Sequence, residues 1–593
     1  MKIAVIGSGL AGLTTAYLLR KEGAEVYLIE RSPVLGFHSE SLQVEEKDEG
    51  EKKGRKGWVV NVPMRGFQGG YYPLLISLYT HLQLPIIPQH YTYSFSSESG
   101  TYFIHSGASG WSIPSLPSKA LTGPFNFLRA LLNLLGVAIS YLLLVVLSFL
   151  AWHDILPSQL SSPDLTVGQF TTHLSSFLNR PLPIPFIGWS PKTPLGYAFE
   201  SFMGTIVLPL FSAVGTMTHQ DVCNLPVRIL LEYLHVTLGT AHYRLGKGLA
   251  SGDVTARLVG VVEEQGEGYV NVGTEVRGLE YAVGGGVRVK LRRVSANGDG
   301  DGNREGGGGG GGEEGVESLR VDKVVLATQA SVARPLLEDL EANLKTWGEE
   351  KERRRVRRMA EALQSVRCRE TIVINHKDTS LLPSSPDRRS INLHLPSSPS
   401  PSSSSAAPPP AHEDEGETPF FPPSGESVYT MATEVIVPPQ GSGGGEVVLQ
   451  TTNPVVPIAR EKVLSVSRLE RALALKDPLA TLRNLQPHSP NALIYLAGSY
   501  VHPGIPLLEG CVASARKVVE GVLEGDRYYH VKKLGEGKGR GEGKDLGVGR
   551  KVGKGGIKGK GKRGVGGVDW SVGEGSKVGR VWRWRWNKES VWC

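Results

Sequence analysis

Cysteine is scarce in this chain, with only Cys223, Cys368, Cys511 and Cys593 among 593 residues and no CxxC spacing between them. That excludes a disulfide-built scaffold, offers no metal site, and makes a reducing compartment the default. A secretory leader is also missing from the reading, because the first apolar run, VIGSGLAGL, is punctuated by glycine and continues as a helix. The fold itself carries no basic surplus. The formal charge is +7, but Val531–Cys593 holds 17 Lys+Arg against 6 Asp+Glu. The basic balance therefore belongs to the tail, which reads as a solvated extension. Its end, VWRWRWNKESVWC, interleaves Trp582, Trp584 and Trp586 with Arg583 and Arg585, a pattern suited to a membrane interface. The other basic run, KERRRVRRMAEAL, has no aromatic companions and predicts a solvated surface helix, so no specific nucleic-acid partner is expected.

Three stretches lack the apolar surface needed to offset chain entropy: the Gly-rich 296–315, the Ser/Pro-rich 383–427 and the tail from 526. Roughly 450 residues remain to fold, enough for a two-domain enzyme.

What is present begins at the N-terminus. KIAVIG predicts a buried parallel strand, and Gly7, Gly9 and Gly12 fit G-x-G-x-x-G, with Ser8, Leu10 and Ala11 between them. One glycine makes the tight turn, one permits close approach of a pyrophosphate, and one packs the helix on the strand. LTTAYLLRKEG is the helix, and its N-terminal amides would face phosphates. EVYLIE is the second strand; Glu30 closes it about 20 residues on, where a carboxylate accepts from ribose hydroxyls. That acid disfavours a 2′-phosphate but leaves NAD and FAD both open.

The segment ERSPVLGFHSES resembles the one that follows the second strand in the flavin-dependent amine oxidase superfamily, where an acid, a spacer, a Gly-Gly pair and a polar residue wrap the pyrophosphate. The resemblance places Glu30, Arg31, Gly36, His38 and Ser39 there, with Phe37 replacing the second glycine. GWVVNVPMRGFQGGYYPLLISLYTHLQLPIIPQHYTYSFSS (57–97) and AHYRLGKGLASGDVTARL (241–258) are similar to further family stretches, with Asn61 where an acid is usual. VNVGTEVRGLEY and DKVVLAT would bring Val276 and Ala327 to the nucleotide. LIYLAGSYVHPGIPLLEGCVASARKVVEGVL (493–523) resembles the strand, turn and helix that close the FAD site, with Gly498, Ser499, Glu509, Gly510 and Cys511 at the cofactor. Reduced flavin is negative near N1, and a helix N-terminus stabilises an anion. Ser499 stands where relatives carry Asp or Glu. No pattern for covalent flavin attachment is present, so the resemblance implies non-covalent FAD. Cys511 reads as a packing residue. ETIVINHKDTSLLPSSPDRRSINLH (370–394) resembles a substrate-domain strand, making His376 the candidate base, against a purely structural role at a strand end.

ALLNLLGVAISYLLLVVLSFLAW (130–152) has no charge and is long enough to cross a bilayer. The FAD site needs residues from both sides of it, so one crossing would separate its halves. The run is therefore a re-entrant or in-plane anchor, half of a hairpin, or a buried core helix; membrane attachment is the expectation, with PLPIPFIGW (181–189) and TIVLPLF (205–211) sharing the apolar patch.

The fold class expected is α/β: a discontinuous Rossmann-like FAD-binding domain (1–69, 241–340, 481–525) and an α+β substrate domain of amine-oxidase type (70–240, 367–480). A charged helix (341–366) lies between them, and the tail runs over 526–593. The expected function is FAD-dependent oxidation or desaturation of a lipophilic small molecule by a protein on the cytosolic face of a membrane or, failing attachment, in the cytoplasm. An NAD(P)-dependent Rossmann reductase and a non-catalytic, membrane-associated FAD-binding protein are the alternatives.

Overall fold

The computed structural model describes residues 1–45, 57–63, 66–105, 114–180, 194–246, 248–282, 284–294, 316–343, 350–396, 428–438, 447–485 and 492–536. The Gly-rich stretch 296–315, the segment 181–189 and the tryptophans of the tail lie outside them.

Four short apolar strands and one two-residue strand make a parallel sheet, in the order Val270–Asn271, Glu25–Ile29, Lys2–Ile6, Lys323–Leu326, Ile494–Leu496. Its strands come from three separated parts of the chain, and the central ones are buried on both faces, as a parallel sheet covered by helices requires. The Leu10–Lys21 helix is buried along ten of its twelve residues, between the sheet and the Leu508–Glu536 and Ser251–Glu263 helices.

A second sheet has seven strands, in the order Val463–Ala472, Cys368–His376, Val448–Thr452, Met431–Ile436, Ile391–His394, Tyr93–Ser97, Gly100–His105. All its pairs are antiparallel except Ile391–His394 on Tyr93–Ser97. The stretch 383–427 is therefore not wholly a solvent loop. Its INLH segment is an inner strand, because Ile391 and Leu393 enter the core and Asn392 is hydrogen-bonded to Ser94 and to the Arg389 backbone.

The charged run also corrects the simple expectation. Helix Glu350–Leu363 turns Arg353, Arg354, Arg357 and Arg358 outward, tucks Arg355 against Glu352, and buries Val356, Met359, Ala360 and Leu363 in a cluster with Leu336, Leu337 and Leu340. It is an amphipathic covering helix.

The long apolar run is one helix, Pro124–Trp152, of mean hydropathy 2.6 over its most apolar window and 28% buried there. Its inward face is small or half-polar: Ser140, Leu144, Leu147, Ser148 and Ala151 are buried, and Gly136 lies against Ala198. The outward face carries Phe125, Leu128, Leu131, Leu132, Leu135 and Leu142, all exposed. The helix is thus not a core helix. A second apolar helical stretch, Leu195–Gly215, has mean hydropathy 1.5 and is 50% buried; it includes 205–211 and packs beside the first.

Candidate cofactor and substrate cleft

The three glycines of the first turn do three different jobs. Gly7 has φ +97°, and a Cβ there would meet the Ala327 carbonyl oxygen at 2.7 Å. Gly9 faces open space, with nothing within 4 Å of a built Cβ. Gly12 lies so close to the turn that its Cβ would sit 1.9 Å from the Gly7 oxygen. The helix that follows has no side-chain cap and no acid in its first turn, so no carboxylate competes for its first amides.

Glu30 organises this turn. One of its carboxylate oxygens accepts from the Ser8 backbone N–H (2.8 Å) and the Ser8 hydroxyl (2.7 Å), and the other from the Ser32 N–H (2.9 Å). The Ser8 hydroxyl oxygen in turn accepts from the Gly36 N–H at 2.9 Å. Gly36 itself has φ +84°, which ordinary side chains disfavour.

These groups open onto a cleft of about 680 Å³, within the size range of small-molecule and cofactor sites. The parallel sheet's loops form one wall: Gly7, Ser8, Gly9, Leu10 and Ala11 from the first turn; Glu30, Arg31 and Ser39 after the second strand; Val276 and Ala327; and Gly498, Ser499 and Cys511 from the far end of the chain. Residues almost 500 positions apart meet because the first and last parallel strands both flank Lys323–Leu326.

Six of the expected site residues do not line the cleft. Gly12 packs beneath the turn. Gly36 braces it from the side through Ser8. His38 instead shares a hydrogen bond with Thr255 Oγ1 at 3.1 Å, so it ties the loop to the Ser251–Glu263 helix. Gly510 presses on the Ser499 carbonyl, 3.0 Å from a built Cβ. Glu509 is buried, and its carboxylate accepts from the Leu74 and Leu75 N–H groups at 2.9 and 3.0 Å. It caps the Pro73–His81 helix instead of meeting the cofactor. Burial pushes its pKa up to about 8 against the pull of those two amides.

His376 is the largest correction. It is fully buried within the seven-stranded sheet, with Nε2 on the Thr451 hydroxyl (2.7 Å) and Nδ1 accepting from the Asp378 N–H (3.0 Å). Burial lowers its pKa to about 4, so it is a neutral, doubly bonded structural histidine. Asn61 likewise has a local task, accepting from the Ser251 N–H and hydroxyl at the start of the Ser251–Glu263 helix.

The opposite wall was not named from the sequence. It is aromatic and comes from the second sheet and its neighbours: Phe67, Tyr72, Tyr91, Tyr93 and Tyr233. Desolvation raises the tyrosine pKa values well above normal at Tyr72 and Tyr91, so both stay protonated. Three chargeable groups sit among them. Glu434 is pushed up to about 8 by burial, His242 down to about 4, and Arg471 is lowered by burial. Alternation in MATEVI and RLERA was the available signal: Ala432 and Glu434, like Leu469 and Arg471, share a strand face.

Residues 5–82 match the family model described as an NAD(P)-binding Rossmann-like domain. The N-terminal part of this chain is Rossmann-like in fold. No curated protein matches the sequence. Among solved structures the chain is similar to cyclohexylamine oxidase from Brevibacterium oxydans IH-35A, at 13% identity and TM-score 0.46, covering 89% of this chain and 99% of that one. It is similar as well to an oxidoreductase from Methanosarcina mazei, at 14% identity and TM-score 0.48, covering 88% and 100%. A redesigned putrescine oxidase follows at 11% identity and TM-score 0.42, covering 89% and 99%. The Rossmann-like domain supplies the open ground above Gly9, and the seven-stranded sheet with the elements beside it supplies the aromatic wall facing it.

Proposed function

We propose that this protein is an oxidoreductase of the flavin-dependent amine-oxidase type, binding FAD non-covalently and oxidising or desaturating a lipophilic small molecule. One observation carries the reading: a single cleft runs from the first glycine turn to Gly498, Ser499 and the start of the Leu508–Glu536 helix, and is closed by an aromatic wall. A nicotinamide enzyme needs no such contribution from the last strand and helix.

The residues present fit an extended dinucleotide. Space above Gly9 admits a pyrophosphate, the uncapped helix start offers amides to it, and Glu30 is held beside the position of a ribose. Bound flavin supplies the two-electron acceptor. The chain's own part is to exclude water with Phe67, Tyr72, Tyr91 and Tyr233, and to hold the substrate's apolar body against the cofactor. His376 takes no part in this; the titratable side chains on the wall include His242 and Glu434.

The outward apolar face of Pro124–Trp152 supports attachment to a membrane surface. Both halves of the nucleotide site pack in one body, so the helix lies on or in one leaflet without carrying the chain across. Purified protein tests the cofactor reading: flavin absorbance bands, or stoichiometric uptake of added FAD, are expected. A colourless protein that takes up no FAD but binds NADH would replace it with the nicotinamide reading, which the description of the matched family model favours.

A further inference from the structure

The aromatic wall contains a cation without a counter-ion among the described residues. Arg471 lies on the Val463–Ala472 strand and lines the cleft, yet it makes no side-chain hydrogen bond or ion pair with any described residue. Its cross-strand neighbour Arg369 is matched by Asp221 at 3.0 Å, and Arg468 by Glu370 at 3.1 Å. The adjacent Glu470 is held by the Ser331 hydroxyl at 2.8 Å. Arginine does not shed its proton in proteins, so a guanidinium left unmatched in an apolar site is costly unless an anion joins it.

A second group points the same way. Thr371 Oγ1 is buried without a hydrogen-bond partner, in a residue only 1% exposed that also lines the cleft. Thr371 pairs with Leu469, and Arg369 with Arg471, which makes Thr371 the diagonal neighbour of Arg471 on the same sheet face. Such diagonal positions are within reach of a long side chain. A planar guanidinium and a hydroxyl side by side suit a carboxylate, which accepts two parallel N–H bonds and one O–H bond.

We propose that Arg471 and Thr371 form a carboxylate-receiving corner of the cleft, and that the substrate is an apolar acid held there by its carboxylate. This rests on the oxidoreductase reading only for the word substrate; the corner exists whatever the reaction. Glu434, also on the wall, is three strands away and in register with Ser465, six residues along from Arg471, roughly 25 Å at the usual strand spacing and rise, and would recognise an amine instead. An anionic locus of the cofactor is the other source of negative charge for Arg471.

Matched eight-carbon probes separate these cases. Octanoate, 1-octanol and octylamine are titrated calorimetrically into the full chain with its bound cofactor. Octanoate binds tightest in the parent protein. Arg471→Met weakens octanoate about a hundredfold, and Thr371→Val about tenfold, with flavin content unchanged. Arg471→Lys, which keeps the charge and most of the volume, retains the preference for octanoate over octylamine while weakening it, and guards against a fold that fails in Arg471→Met. The proposal is overturned if octanol or octylamine binds as tightly as octanoate, or if octanoate binding survives Arg471→Met. It is overturned equally if Arg471→Met shifts the flavin reduction potential and leaves octanoate untouched, because the cation then serves the cofactor. Absence of flavin from the protein would sink the functional reading alone, since the ranking of the three probes is read without it.

Discussion

The two sheets that face each other across the cleft obey opposite rules. The parallel sheet is made of strands of two to five residues, the central ones buried on both sides, and its functional groups sit in loops at one end. The seven-stranded sheet has strands of up to ten residues, and its cleft-facing groups stand on the strands themselves. In the first, backbone does the binding, so glycine is the informative residue. In the second, side chains do it, and any residue type can carry the role.

That contrast can be broken at four points. The largest effect is expected at the glycine turn: Gly12→Val forces a side chain into the Gly7 carbonyl and should cost about 3 kcal/mol or more, read as loss of folded, nucleotide-binding protein. If the variant folds and binds normally, the turn is not the rigid cradle described. His376→Gln breaks two buried hydrogen bonds in the other sheet and should lower stability by about 1 to 3 kcal/mol, while the turnover rate per folded molecule stays within about twofold. A collapse of turnover in a stably folded variant would restore the histidine to the chemistry.

The third point is pH. Glu434 and Glu509 have pKa values raised to about 8 in the folded chain, against an ordinary carboxylate near 4.3 when unfolded. A raised acid binds more protons folded than unfolded, so the stability it contributes is complete at low pH and is lost as pH rises through about 8. The buried histidines, lowered to about 4 at His242 and His376 and about 3 at His502, act in the opposite sense, but only below the unfolded histidine value. Melting temperature should therefore fall between about pH 6.5 and 8, and Glu434→Gln should flatten that decline. A profile unchanged by the substitution would mean the carboxyl is ionised throughout.

The smallest effect on folding is expected on the outer helix. Leu135→Asp, at an exposed position, should change stability by no more than about 0.5 kcal/mol yet reduce co-sedimentation with anionic lipid vesicles. Equal sedimentation of both proteins, or none of either, would remove the membrane reading.

The difference between the sheets also explains how much was legible. G-x-G-x-x-G, Glu30 and LAGSYV announced the nucleotide half because a backbone cradle restricts residue choice at fixed spacing. Glu509 was misplaced for a physical reason: an acid at a helix start beside a cofactor segment looks the same in sequence whether it faces the cofactor or caps a neighbouring helix. His376 has the ordinary look of a strand-end histidine, and only its partners Thr451 and the Asp378 amide show its task. Arg471, Glu434 and His242 were invisible, since a charge in a strand reads as surface until the opposite wall is known to cover it.

The sequence by itself determined a Rossmann-like strand, glycine turn and helix at the N-terminus, a closing strand and helix near residue 500, and an apolar run that could not sit alone in water. Those features follow from local rules of glycine geometry and hydrophobic burial. Tertiary structure decided which groups share the cleft, which acid caps a helix, and that one arginine faces the aromatic wall unmatched. Strand pairing brings together residues hundreds of positions apart, and whether a charge is balanced depends on neighbours that only pairing supplies.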